Sequence, residues 1–274
     1  MEIEVLGHVS LAAAGKRVAP SATKTKQVLT LLLVNSNRLV TIPTLIEELW
    51  DDRPPATALS TLQTYVFQLR RLLAHLLPEA SPKEILTTTP NGYTFRVKPG
   101  ELDLHRYEEL MTDGRRAFSA GNNVEVVEKL RAAEELFQGP ALADVRPGRH
   151  LEAEIVRLEE ARLTVLETRL EAELALGRHH EVLSQLSGLA SQHPQHESFH
   201  RQLMLALYRC GRRPHALNVY NQLRQELVAE LGLEPSDELQ QLQQAILSAD
   251  PRLGGPQLPW LQPARTVTSL PGLV

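Results

Sequence analysis

Cysteine is almost missing from this chain. Cys210 is the single one in 274 residues, which excludes a disulfide within the chain and suits a reducing compartment. Aromatic residues are scarce too, at 4%, so the cores must come mostly from Leu, Val and Ala, a composition that suits helices. No apolar run reaches the roughly 20 residues needed to span a bilayer. The opening MEIEVLGHVS lacks the basic-then-apolar order of a secretory leader. These absences predict a cytoplasmic protein with no membrane partner. No G-x-x-x-x-G-K-[ST] phosphate loop is present, and no cofactor is expected.

What is there is unevenly distributed. The formal charge of −4 averages a mildly basic head and an acidic body: residues 1–99 hold eleven Lys and Arg against eight Asp and Glu, or +3, which leaves −7 for the rest. A basic head on an acidic body fits a DNA reader joined to a protein-contacting module. At this length and 42% hydrophobic content, two domains can each bury a core.

Residues 2–19 alternate apolar and polar positions around Gly7 and Gly15, which predicts two or three short strands. A helix from Thr23 or Lys24 to about Asn35 follows, then a second helix capped by Thr41, carrying Pro43 in its first turn and closing at Trp50. The prolines of Asp51-Asp-Arg-Pro-Pro55 force a turn. The next helix, from Ala56 to Leu76, spaces Leu59, Leu62, Val66, Leu69 and Leu73 three and four apart as one buried stripe. Two β-prone runs joined by an Asn91-Gly92 turn complete a hairpin, with Gly92 expected at positive φ and Tyr93 as a packing residue. Strands, three helices and a hairpin make a winged helix-turn-helix (α+β) domain over residues 1–99.

Beyond Pro99-Gly100 the helical period is continuous. Gly121, Gly177 and Gly211 each end a helix and are followed by apolar residues at +5, +6, +9 and +12; the last two lie 34 residues apart, the tetratricopeptide period. Residues 100–250 are therefore expected to be all-α and tetratricopeptide-like, with an insertion between Gly139 and Arg149. The fold class is mainly α. The Pro/Gly-rich segment 251–274 reads as a disordered tail.

Wording reinforces pattern. Residues 1–97, with Asn37-Arg-Leu-Val, Glu48-Leu-Trp50 and Gln68-Leu-Arg-Arg-Leu72, resemble an OmpR-type winged helix. Leu102-Asp-Leu-His-Arg-Tyr107, Arg157-Leu-Glu-Glu-Ala-Arg162, Glu173-Leu-Ala-Leu-Gly-Arg-His179, Gln202-Leu-Met-Leu-Ala-Leu-Tyr-Arg209 and Glu230-Leu-Gly-Leu-Glu-Pro235 resemble a bacterial transcriptional activation domain. Together the two halves resemble small members of the Streptomyces antibiotic regulatory protein family. The resemblance implies a pathway-specific activator of a secondary-metabolite gene cluster. Such a protein binds direct repeats in double-stranded DNA near the −35 region and contacts RNA polymerase holoenzyme through its sigma factor.

The third helix has no carboxylate, so its outward face can meet a polyanion without like-charge repulsion. Ser60, Thr61, Thr64, Gln68 and Arg71 are the candidates for base or adjacent phosphate contacts, with Arg70 beside them; Tyr65 and Phe67 offer apolar surface to thymine methyls. Arg70 and Arg71 also suit the helix end through its dipole. Lys24 and Lys26 at the start of the first helix are candidate phosphate contacts. In the wing, Thr88, Thr89 and Asn91 can reach backbone or minor groove, although threonines stand where related wings carry arginine. A +3 domain neutralises few phosphates, so cooperative binding of at least two copies as a dimer on DNA is expected.

Three rivals were weighed. His196-Glu-Ser-Phe-His200 spells H-E-x-x-H but has no third ligand at fixed spacing, so no metal and no enzyme is expected. A helical-repeat scaffold leaves the helix and wing without purpose. A repressor of the same architecture shares the groove-binding features, and the second half alone favours activation.

Overall fold

The computed structural model describes residues 1–255. Contacts divide it into two compact units: residues 1–116 with 128–166, and residues 117–127 with those from Glu167 onward.

In the first unit, β1 (Glu2–Glu4), β2 (Ser10–Ala13) and β3 (Lys16–Val18) form an antiparallel meander in that order. Then come α1 (Thr23–Val34), β4 (Val40–Thr41), α2 (Ile42–Trp50) and α3 (Ala58–Leu76). A single short turn of helix, α4 (Pro82–Ile85), precedes the hairpin of β5 (Leu86–Thr89) and β6 (Gly92–Phe95), and a second sheet has the order β4-β6-β5. Thr41 caps α2 as expected, accepting from the Thr44 amide at 3.3 Å, with Pro43 in the first turn. The core is aliphatic: Val28, Leu29 and Leu32 of α1 face Leu62, Val66, Leu69 and Leu73 of α3, all at most 2% exposed. Each such side chain is worth about 1.5–3 kcal/mol of transfer free energy.

Three local expectations fail for physical reasons. Leu59 is 47% exposed, and Ala58 takes the buried position at the start of the stripe. Gly92 is not among the residues at positive φ, because the two-residue turn is Pro90-Asn91 and Gly92 already pairs with Thr89 in the ladder. It must be glycine for another reason: a Cβ there would sit 2.1 Å from the Val40 carbonyl oxygen of β4. The four-residue α4 carries no periodic signal long enough to read.

The second half of this unit is bound to the first by backbone contacts. α5 (Asp103–Ser119) begins beside β1, with Ile3 donating its amide to Glu101 O at 2.7 Å. After α6 (Asn123–Glu134), the stretch read as an insertion runs along the loop after β1 as a strap. Gln138, Leu142 and Ala143 donate their amides to the carbonyls of Leu6, Val5 and Gly7. α7 (Arg149–Ala175) follows.

In the second unit, α8 (His179–Gln192) packs on α9 (Glu197–Arg209), α9 on α10 (Arg213–Leu231), and α11 (Asp237–Ser248) on both α9 and α10. The three repeat-marking glycines all have positive φ, from 72° to 82°, the left-handed geometry that ends a helix. Val182, Leu186 and Leu189 of α8 and Ala216, Tyr220 and Leu223 of α10 are buried at equivalent offsets. Arg169 and Glu173 form a buried ion pair at 2.8 Å, and Arg169 also donates to Gln185. Residues 251–254, expected in the tail, form a 3-10 turn with Leu253 buried, held by Arg209 donating to the Leu253 carbonyl. The rest of that expected tail lies outside the described residues.

Candidate nucleic-acid interface

α3 reads ALSTLQTYVFQLRRLLAHL and contains no acidic residue. With its aliphatic underside buried, two polar stripes are left. Ser60, Thr64, Phe67 and Arg71 lie along the outer one, and Phe67 is 61% exposed. Gln63 occupies the same exposed stripe. Sequence reasoning missed it, although the i, i+4 spacing to Phe67 was visible. Thr61, Tyr65 and Gln68 form a flank toward α1, where Gln68 Oε1 accepts from the Thr25 hydroxyl at 2.7 Å. That bond orients the amide and leaves its N–H groups for an acceptor.

Arg70 faces the wing. Its Nη2 donates to the Leu86 carbonyl and to the Thr88 hydroxyl, each at 2.7 Å, and its Nε donates to the same carbonyl at 3.2 Å. The guanidinium thus fixes the hairpin against α3 and is occupied within the protein. Thr87 and Thr89 donate their hydroxyls to Thr94 O and Gly92 O, leaving Thr88 and Asn91 as the exposed polar side chains of the wing.

The two lysines of α1 are placed differently from the expectation. Lys24 donates to the Leu49 carbonyl at 2.8 Å with its ammonium 4.5 Å from the Trp50 ring centre, and burial, aided by Arg146, lowers its pKa. Lys26 pairs with Asp144 at 2.5 Å. Both ammonium groups brace the fold, and neither is free for phosphate as the helix-start position suggested.

Glu48, Asp103 and Asp144 form a set of carboxylates that sequence reasoning did not find. Glu48 of α2, 3% exposed, accepts from the backbone amides of Gly148 (2.6 Å), His150 (2.9 Å) and Leu151 (3.2 Å), and from Gln27 Nε2 (3.0 Å). It therefore caps the start of α7 from across the chain, at the positive end of the helix dipole. Gly148 is required for this approach, since a Cβ there would lie 2.1 Å from Glu48 O. Its neighbour Glu47 pairs with Arg149 and His150. Asp103 accepts from the amides of Val5 and Leu6, and burial pushes its pKa up to about 6 although these amides and that of Leu104 pull it down. Asp144 accepts from Val9 and Lys26; burial alone would raise its pKa, but Lys26, the Val9 amide and His8 together hold it below the usual value.

The histidine cluster has a packing role. His196 stacks on Phe199 at 4.2 Å ahead of α9, and His200 is buried with a lowered pKa, chiefly from desolvation. Among the described residues no three His, Cys, Asp or Glu side chains come together as a metal site, and no helix is long and apolar enough to cross a membrane.

Two family profiles match the chain: "Transcriptional regulatory protein, C terminal" over residues 16–95 and "Bacterial transcriptional activator domain" over residues 102–247. The chain is 43% identical to regulatory protein DnrI of Streptomyces peucetius, over 94% of this chain and 97% of that protein. It is 40% identical to regulatory protein AfsR of Streptomyces coelicolor, over 91% of this chain but only 24% of that much longer protein. The solved structure of Mycobacterium tuberculosis EmbR in complex with a low-affinity phosphopeptide superposes with a TM-score of 0.86. Sequence identity there is 31%, covering 91% of this chain and 65% of that one.

Proposed function

The chain belongs to the Streptomyces antibiotic regulatory protein family of DNA-binding transcriptional activators, which are not enzymes, and from that premise we propose how it meets DNA. α3 enters the major groove, where each base pair presents a distinct pattern of donors and acceptors. Ser60, Gln63, Thr64, Gln68 and Arg71 read base edges or adjacent phosphates, Thr61 supports them from the flank, and Tyr65 and Phe67 meet thymine methyls. Thr88 and Asn91 of the wing touch the backbone or minor groove, while Arg70, through Thr88 and the hairpin, sets the wing's angle. The observation that carries this reading is the exposed, carboxylate-free face of α3, with a bare phenyl ring at its centre.

The head carries a formal +3 but one of its lysines is neutralised by Asp144, so a single copy contacts few phosphates and binds with a shallow salt dependence. Two copies arranged head to tail on direct repeats restore affinity through contacts between them. Bound near the −35 region in the cytoplasm, the pair recruits RNA polymerase holoenzyme through its sigma factor and switches on an antibiotic gene cluster.

The test is a gel-shift titration of the triple variant T64A/Q68A/R71E on promoter DNA from the protein's own gene neighbourhood. Loss of about a hundredfold or more in affinity is expected, given roughly 1–3 kcal/mol per good base contact. The thermal midpoint should fall by no more than the lost Gln68–Thr25 hydrogen bond accounts for, about 1 kcal/mol, because all three side chains are otherwise exposed. Undiminished promoter occupancy would remove α3 as the reader.

A further inference from the structure

We infer that the second unit carries a receptor groove for an extended acidic peptide segment of a protein partner. The groove, about 560 Å³, lies along α8, α9 and α10. Its apolar lining is Leu183, Leu203, Leu207 and Val219, of which Leu203 and Leu207 are supplied by α9. Ser184 and Asn218, each seven residues after a helix-ending glycine, stand at equivalent places on α8 and α10. The same repeat thus places a hydroxyl on α8 and an amide on α10 at corresponding positions, polar groups able to hydrogen-bond the backbone of an extended chain.

The charge pattern says what that chain carries. His180, Arg212 and His215 line the groove, and no Asp or Glu is among its lining residues. This occurs in the part of the sequence, residues 100–274, whose formal charge is −7. Elsewhere in this unit Arg169 is met by Glu173 and Arg224 by Glu234. Among the described residues, the side chains of His180, Arg212 and His215 make no ion pair or hydrogen bond, and all three residues are exposed. A cleft with an apolar floor, a guanidinium and two imidazoles at its rim and no carboxylate complements alternating apolar and acidic side chains, which gain burial and hydrogen bonds, charge-assisted at Arg212. The apolar floor argues for a peptide over a nucleic-acid strand, since no Phe, Tyr or Trp ring lines the groove for base stacking.

The experiment uses the full chain and a fluorescein-labelled nonapeptide of alternating Asp and Leu, read by fluorescence anisotropy, beside a Lys/Leu peptide of the same pattern. The Asp/Leu peptide should bind at least about tenfold more tightly, and the double variant R212E/H215E should lose about tenfold or more, charged hydrogen bonds being among the stronger polar contacts. S184D, a charge placed inside the groove on another helix, should weaken binding in the same direction. Promoter binding in a gel shift should be retained by both variants, which separates this groove from the α3 face. Equal binding of the two peptides overturns the inference, as does unchanged affinity in R212E/H215E and S184D. Displacement of the Asp/Leu peptide by an equimolar single-stranded oligonucleotide would reassign the groove to nucleic acid and overturn it likewise.

Discussion

The two sides of the winged helix treat negative charge in opposite ways. α3 presents nineteen residues without a single carboxylate, and the side-chain hydrogen bonds it makes go to hydroxyls and carbonyls. The side bearing α2 and the first loop gathers Glu48, Asp103 and Asp144, each saturated with backbone amides or a lysine from a distant part of the chain. One side carries no anion, as the proposed contact with DNA requires; the other uses its anions to hold the structure together. Stability and recognition are therefore separable by mutation, and each side can be tested for the property the other should lack.

The largest effect is expected at Glu48. Replacing it with Ala strands three backbone amides and Gln27 at a buried site, each worth about 1–3 kcal/mol, so E48A should lose roughly 3 kcal/mol or more of unfolding free energy in urea. The folded fraction should still bind promoter DNA with wild-type affinity at low temperature. A full loss of DNA affinity in folded E48A would break the separation.

Asp103 gives an intermediate, pH-dependent effect. Its folded pKa, about 6, lies above the ordinary value of 3.8, so between those limits the native state binds the extra proton. That contribution to stability is present at low pH and declines as pH rises from about 4 to 6. Measured against D103N, the wild type should therefore lose ground over that interval, by at most about 3 kcal/mol. Chemical denaturation at pH 4.5 and 7 checks the sign; a wild type that gains on D103N with rising pH would show the carboxylate held below its ordinary range instead.

The smallest effect sharpens the comparison on the other side. Arg70 is spent on the hairpin, so R70M should cost about 1 kcal/mol of stability and, by loosening the wing, several-fold in DNA affinity. R71M, at the exposed neighbour, should leave stability within about 0.5 kcal/mol. A paired melt and gel shift on the two variants distinguishes brace from contact.

Much of this was legible in the sequence because it is local. The Leu62, Val66, Leu69 and Leu73 stripe, the Thr41 cap and the three glycines that end helices all declare themselves within a turn or two. The misjudged residues have partners far along the chain. Lys26 looks spare until Asp144 is folded onto it, and nothing near Glu48 announces that the start of α7 will dock there. Arg70 and Arg71 are adjacent letters, yet one helical step of about 100° turns one toward the wing and the other to solvent. Gly92 was recognised as special for the wrong cause, since crowding by a strand fifty residues upstream leaves no trace in a turn motif.

The strap and the Asp103 cap have a consequence for the joint at Lys98-Pro99-Gly100. Composition marks it as a linker, yet Ile3 and Glu101, Leu6 and Gln138, and Glu48 and His150 all bridge its two sides. Cutting the backbone at Gly100 would not set the reader loose: the fragments would travel together as a nicked whole, since the peptide bond there is only one of many ties.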